Sequence, residues 1–294
     1  MRTRSAATGR RPKRFDWMLA HPDVSLRPDQ THWAKVVHAH GRGGAPLECL
    51  RVILRMQLQQ PPVLPSLKTY NRALLACACA ADASTALEVV ADMQAQDRPV
   101  ALDRFGWNML LEALATGGDM ANAEAWFDRM RQSPIAPDLE SYGYLISGYR
   151  DAKRFGEALR LFEDAIRTGV CAPTAGFDRA AKSVDFHRYA MEGKARQHEE
   201  SGMQPGLALT ALDWHLAQGH VDHRTQFIVG QGGGVLRDAV LKALAERGLH
   251  YTAADTNPGL LVRRFELSRT RPLPATPPPP HASAPVSFRR GDAR

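Results

Sequence analysis

Cysteine is scarce in this sequence: Cys49, Cys77, Cys79 and Cys171 are the only four in 294 residues. They form no Cys-x-x-Cys pair and have no histidine spacing to complete a zinc site, so they read as small core residues in a reducing compartment. Long apolar runs are missing as well. No stretch approaches the roughly 18 uninterrupted apolar residues of a membrane-spanning helix, so no segment is expected to cross a bilayer. Acidic residues are absent from the first fourteen positions, where Arg2, Arg4, Arg10, Arg11, Lys13 and Arg14 stand among Ser, Thr and Ala. That composition fits a transit peptide for a chloroplast or mitochondrion within a basic segment 1–29; a basic arm of a cytoplasmic protein would share it. Beyond residue 268 ordinary core-forming composition gives out, and proline, including Pro277 to Pro280, predicts an extended unpacked tail over 268–294.

What is present between these ends suffices for about two domains. Hydrophobic residues make up 44% of the chain, enough for packed cores, and the net charge is +7. A positive balance favours a polyanionic partner, because each Lys or Arg set against a phosphate releases counterions. Tails that merely solvate would produce part of the same excess.

An internal repeat organises the first half. Trp33, Tyr70, Trp107 and Tyr142 are spaced 37, 37 and 35 residues apart, each leading a segment of helical apolar periodicity. Four residues behind them stand Val37, Leu74, Leu111 and Ile146; sixteen behind, Cys49, Ala86, Ala123 and Ala158. Twenty behind come Ile53, Val90, Phe127 and Phe162, and three further on Met56, Met93, Met130 and Ala165. Each unit therefore predicts a helical hairpin whose small-residue column lets two helix axes approach. Glycines at Gly41 to Gly44 and Gly117-Gly118 would supply turns. One hairpin cannot bury its apolar face alone, so four must stack as an α-helical solenoid of helix-turn-helix repeats, with units 30–66, 67–103, 104–138 and 139–174 in a region 30–180.

Lys68-Thr69-Tyr70-Asn71 opening a helix, Ala86-Leu87-Glu88-Val89-Val90-Ala91-Asp92-Met93 in a second helix and Ala136-Pro137-Asp138 closing a unit resemble pentatricopeptide repeats. The resemblance spans about residues 30 to 174 and implies single-stranded RNA as partner. In that family one base is read per repeat, by the residue after the aromatic together with the last residue of the unit. Carried over, the pairs are Ala34 with Ser66, Asn71 with Asp103, Asn108 with Asp138, and Gly143 with Thr174. A carboxamide presents both donor and acceptor to a base edge, and a carboxylate can orient it. The two consecutive Asn/Asp pairs resemble the uridine-reading combination and imply a U-rich preference. Ala34 and Gly143 have no side-chain hydrogen-bonding group, so units one and four are expected to give stacking, shape or phosphate contacts.

From about Ala181 the grammar changes. A strand-like run Ser183 to His187 precedes a helix over Pro205 to Gln218, expected to turn Leu209, Leu212 and Leu216 toward a sheet and its polar groups toward solvent. A second strand, Gln226 to Val229, runs into Gly230-Gln231-Gly232-Gly233-Gly234 and then a helix with Val235, Leu236, Ala239, Val240, Ala243 and Leu244 on one face. Such alternation predicts a small α/β layer over 181–267. A glycine-rich turn opening a helix suits a phosphate, and it equally serves as a plain tight turn.

Phe227-Ile228-Val229-Gly230-Gln231-Gly232, Val235-Leu236-Arg237-Asp238-Ala239-Val240 and Asn257-Pro258-Gly259-Leu260-Leu261-Val262 together resemble the Smr domain, a module related to the C-terminal part of MutS. The resemblance implies nucleic-acid cleavage, of RNA or DNA, through an Asp-x-His signature. Asp185-Phe186-His187 on a strand puts both side chains on one face, whereas Asp213-Trp214-His215 lies in a helix where a separation of two turns them about 200° apart. The first pair is therefore the catalytic expectation, with Mg or Mn as the divalent ion such a nuclease would use. Arg188, Val229 and Gln231 depart from the family pattern. A non-catalytic RNA-binding adaptor and a helical scaffold for protein partners are the competing expectations.

Overall fold

The computed structural model describes residues 27–172, 177–186, 203–222, 224–229, 234–255 and 257–263, with Phe15, Met18 and Leu19 before them. The expected transit peptide, the proline-rich tail, Thr174, His187 and the run Gly230, Gln231, Gly232 and Gly233 lie outside these residues.

Four helical hairpins open the fold: α1 (Gln30–Arg42) with α2 (Pro46–Gln57), α3 (Leu67–Ala80) with α4 (Ala83–Ala95), α5 (Arg104–Thr116) with α6 (Met120–Gln132), and α7 (Leu139–Asp151) with α8 (Phe155–Arg167). All twenty residues of the five repeat columns are buried, which is the physical reason the periodicity exists. The hairpin turns repeat too. Gly44, Ala81, Gly118 and Lys153, spaced like the aromatics, all have positive φ, between 52° and 79°. Glycine adopts that backbone freely at Gly44 and Gly118, whereas Ala81 and Lys153 hold it against a steric cost. In the two tyrosine-led units the phenol reaches the second helix of its own hairpin, Tyr70 Oη donating to Asp92 at 2.7 Å and Tyr142 Oη to Asp164 at 2.9 Å.

Each first helix packs on the next, α1 on α3, α3 on α5, and α5 on α7, more closely than the second helices pack on one another. The row of first helices is thus the inner side of the curve.

That row does not stop at the fourth unit. Helix α9 (Pro205–Ala217) packs on α7 as the next first helix would, and also touches α8. Gly206 allows the approach, since a Cβ there would stand 2.7 Å from Ser147 Cα. Across the same boundary Arg150 donates to Asp213 at 2.6 Å, Asp213 also pairs with Arg247, and Phe162 meets Trp214 edge-on at 6.2 Å. The expectation of a helix with solvated polar groups is corrected here. α9 is enclosed by α7, α8 and α10 (Val235–Glu246), so His215 is fully buried along with Leu207, Ala208, Ala211 and Leu212.

Behind α9 lies a five-stranded sheet in the order β1-β2-β3-β5-β4, with β1 (Phe177–Asp178), β2 (Ser183–Asp185), β3 (Gln226–Ile228), β4 (Tyr251–Ala254) and β5 (Asn257–Arg263). Only β2 and β3 pair in parallel; the other pairs are antiparallel. The sheet begins at Phe177, earlier than Ala181, because β1 folds back on β2, and β2 ends at Asp185 rather than at His187. Phe186 and Phe227 stack at 6.1 Å, and one apolar core continues from Val37 in the hairpins to Leu261 in the sheet. Cys49, Cys77 and Cys171 belong to that core as expected of small residues, whereas Cys79 is exposed near the end of α3. Among the described residues no helix is long and apolar enough to cross a membrane.

Candidate nucleic-acid interface

The inner face is assembled at the junctions between units. Asp103 and Asp138, the last residues of the second and third units, are also the N-caps of α5 and α7, accepting from Gly106 N at 2.8 Å and Ser141 N at 3.0 Å. Capping fixes each carboxylate beside the preceding first helix. There it meets the residue after the aromatic, which helical rotation of about 100° carries from the core to the inner face.

In the second unit Asn71 Nδ2 lies 3.1 Å from both oxygens of Asp103. Its Oδ1 is buried and has no hydrogen-bond partner among the described residues. Gly106 leaves room for that oxygen, since a Cβ there would stand 2.9 Å from it. In the third unit Asn108 Nδ2 donates to Asp138 at 3.3 Å and to Glu140 at 3.0 Å, while Ser141 Oγ donates to Asn108 Oδ1 at 2.6 Å. Asn108 is only 2% exposed and its carboxamide is fully engaged, whereas Asn71 is half-buried.

The outer two units lack these pairs. Ala34 offers its carbonyl, which accepts from Arg72 Nη1 at 3.1 Å, and Ser66 Oγ shares a hydrogen bond of 3.1 Å with Thr69. Gly143 is buried beneath the Gln204 side chain, and its expected partner Thr174 is outside the described residues.

Sequence reasoning missed Glu140, Ser141, Gln204 and Phe105. Asp138-x-x-Ser141 is a capping box that the spacing could have disclosed. Phe105, on the first turn of α5, stands 45% exposed, a ring surface beside Asp103. Arg104 reaches from the same turn to Ala136 O at 2.8 Å and Asp138 at 3.3 Å. Between α5, α7 and the start of α9 lies a cavity of about 420 Å³ whose walls include Glu112, Glu140, Tyr144, Ser147 and Gln204. Burial raises the pKa of Glu112 above the usual carboxylate range, opposed by a hydrogen bond from Tyr144.

At the sheet, Asp185 is half-buried as the last residue of β2, in register with Ile228 of the parallel strand β3. The glycine run follows β3 and ends in Gly234, whose φ of 78° starts α10. Asp185 and Val229, the residue after β3, thus stand at the same carboxyl edge of two parallel strands. Among the described residues no three His, Cys, Asp or Glu side chains gather closely enough to hold a metal ion.

Against known families, a pentatricopeptide repeat domain model matches residues 92–151 and a pentatricopeptide repeat model matches residues 140–170. A chloroplastic pentatricopeptide repeat-containing protein of Arabidopsis thaliana is 28% identical over 102 residues, 35% of this chain and 13% of that protein. A second from the same plant is 38% identical over 60 residues, 20% of this chain and 12% of its own length. The chain thus spans about an eighth of each of these relatives. Among solved structures, the maize pentatricopeptide repeat protein PPR10 aligns with a TM-score of 0.48 at 19% identity, covering 76% of this chain and 28% of that one. PPR10 in complex with an 18-nt psaJ RNA element aligns at 0.43 and 19% identity, covering 81% and 37%. The stacked hairpins and the two family models agree over residues 92–170, and this part of the chain consists of pentatricopeptide repeats.

Proposed function

We propose that the inner row of first helices binds single-stranded RNA and reads bases through Asn71 and Asn108. The observation that carries this is the repetition of one geometry in neighbouring units, a carboxamide held 3.1–3.3 Å from a helix-capping carboxylate. At Asn71 a carboxylate that takes up the amide donor presents the amide oxygen as acceptor, and uracil offers an N–H to match it; at Asn108, whose oxygen accepts from Ser141, a base would meet the amide nitrogen by displacing Glu140. Among the described residues Asn71 Oδ1 has no donor, and a buried oxygen left so costs about 1–3 kcal/mol that a base would relieve. The exposed ring of Phe105 adds a stacking surface, and Lys68 and Arg104 on the first turns of α3 and α5, with Arg72 on the second turn of α3, add positive charge for the phosphates. A U-rich preference follows. The basic N-terminal composition and the chloroplastic relative support action in an organelle, in RNA processing, which a reporter fused to the first 40 residues would test: a purely cytosolic signal contradicts it.

Fluorescence anisotropy with U-rich and A-rich oligonucleotides tests the central reading. The U-rich strand should bind at least tenfold tighter, and Asn71→Ala with Asn108→Ala should erase the difference. Negligible binding to both strands would remove RNA reading and leave a helical scaffold for protein partners.

A second reading is favoured by the shared strand edge at Asp185. Ligands of sheets with parallel strands gather outside the carboxyl ends, and the glycine turn leads into the N-terminus of α10, where a phosphate is stabilised. Cleavage there would use His187 to move a proton and Asp185 to orient it. RNA or DNA cleavage lost in both Asp185→Asn and His187→Ala would support this reading; intact strands in the wild type would leave a non-catalytic, RNA-binding adaptor.

A further inference from the structure

We infer that Gln204 is the base-reading side chain of the fourth unit, supplied from outside the repeats to replace the one that Gly143 lacks. This rests on the RNA-binding reading above and extends it to a third nucleotide.

The row of first helices continues from α7 to α9, and Gln204 is the residue that caps α9. Its carboxamide lies directly over Gly143: a Cβ at that glycine would stand 2.8 Å from Gln204 Oε1, 3.1 Å from Cδ and 3.4 Å from Nε2. Any other residue at position 143 would compete with Gln204 for the place that Asn71 and Asn108 fill in the preceding units. Ser147 Oγ, one helical turn further along α7, donates to Gln204 Oε1 at 3.3 Å and steadies the group. The Gln204 side chain makes no capping hydrogen bond to its own helix, so helix termination does not account for its position. Gln204 is half-buried and borders the cavity of about 420 Å³ between α5, α7 and α9. The Glu112 and Glu140 carboxylates on that cavity disfavour a phosphate, whereas a nucleobase edge meets a carboxamide with both a donor and an acceptor. Asn71 on α3, Asn108 on α5 and Gln204 over Gly143 of α7 then form three carboxamides, each addressing one base.

The full chain selected against a randomised single-stranded RNA pool provides the test, with Gln204→Ala and Gln204→Glu selected in parallel. The wild type should enrich three specified positions. Gln204→Ala should reduce discrimination at the third at least fivefold and leave the first two unchanged, and Gln204→Glu, which has no N–H donor, should change the third base. Asn71→Ala should alter a different position, and matched melting temperatures exclude misfolding. A wild-type motif of two positions, or a third position unaltered in Gln204→Ala, overturns this inference and leaves the reading by Asn71 and Asn108 standing. A pool without any enrichment overturns both.

Discussion

Asn108 and Glu140 are joined by a hydrogen bond of 3.0 Å across the junction of α5 and α7, which places a carboxylate in front of the buried carboxamide. A base approaching Asn108 must displace Glu140, and a hydrogen bond to a charged group contributes about 1.5–3 kcal/mol. Removing the competitor should therefore favour RNA. Glu140→Ala is expected to tighten binding to a U-rich strand about threefold to tenfold, at most about 1.4 kcal/mol. Anisotropy titration at fixed salt checks this, and weaker binding would show Glu140 to be a ligand rather than an obstacle.

Asp103 caps α5 and also orients Asn71, and two substitutions separate these duties. Serine caps a helix about as well as aspartate, whereas losing the cap altogether costs about 1 kcal/mol. Asp103→Ser should keep the melting temperature while reducing U-over-A discrimination at least fivefold; Asp103→Ala should lose both. Discrimination unchanged in Asp103→Ser would mean that the carboxylate serves only the helix end.

Ala81 and Lys153 hold φ values of 52° and 59° at the hairpin turns where the other two units carry glycine. A left-handed conformation costs an ordinary residue about 1–2 kcal/mol, part of which glycine returns as entropy of the unfolded chain. Ala81→Gly and Lys153→Gly should each stabilise the fold by about 0.5–1 kcal/mol in urea unfolding. Destabilisation by either would contradict the repeated turn geometry.

His215 is neutral in the fold. Burial lowers its pKa to about 4, and the adjacent His220, with ring nitrogens 3.0 Å apart, adds repulsion. The unfolded chain binds a proton there at about pH 6.5, so this group's contribution is complete above that pH and is lost as pH falls from about 6.5 toward 4. The loss is on the order of 3 kcal/mol. Melting temperatures from pH 7.5 to 4.5 should fall more steeply in the wild type than in His215→Phe; parallel curves would place the acid sensitivity elsewhere.

Much of the solenoid was legible because burial repeats at the same interval as the chain. Tyr70 and Leu74 recur as Trp107 and Leu111 since each must fill the same gap between stacked hairpins. The pairing of Asn71 with Asp103 and of Asn108 with Asp138 was legible for a related reason: at each of these two unit boundaries an aspartate caps the next helix. Glu140 and Gln204 were not. Neither occupies a column, and each acquires its position from a neighbouring helix. His215 was misjudged because a helix enclosed on several sides loses the polar stripe by which a surface helix is recognised.

By itself, the amino-acid order determined the hairpins, their number and the columns that fill their core, because local periodicity and capping act within a few residues of chain. Tertiary structure alone decided that Asn71 keeps an oxygen unmatched among the described residues while Asn108 is closed by Ser141 and Glu140. It also decided that Gln204 comes to rest on Gly143, 61 positions away, since such contacts depend on how helices stack and leave no mark on the spacing of either residue.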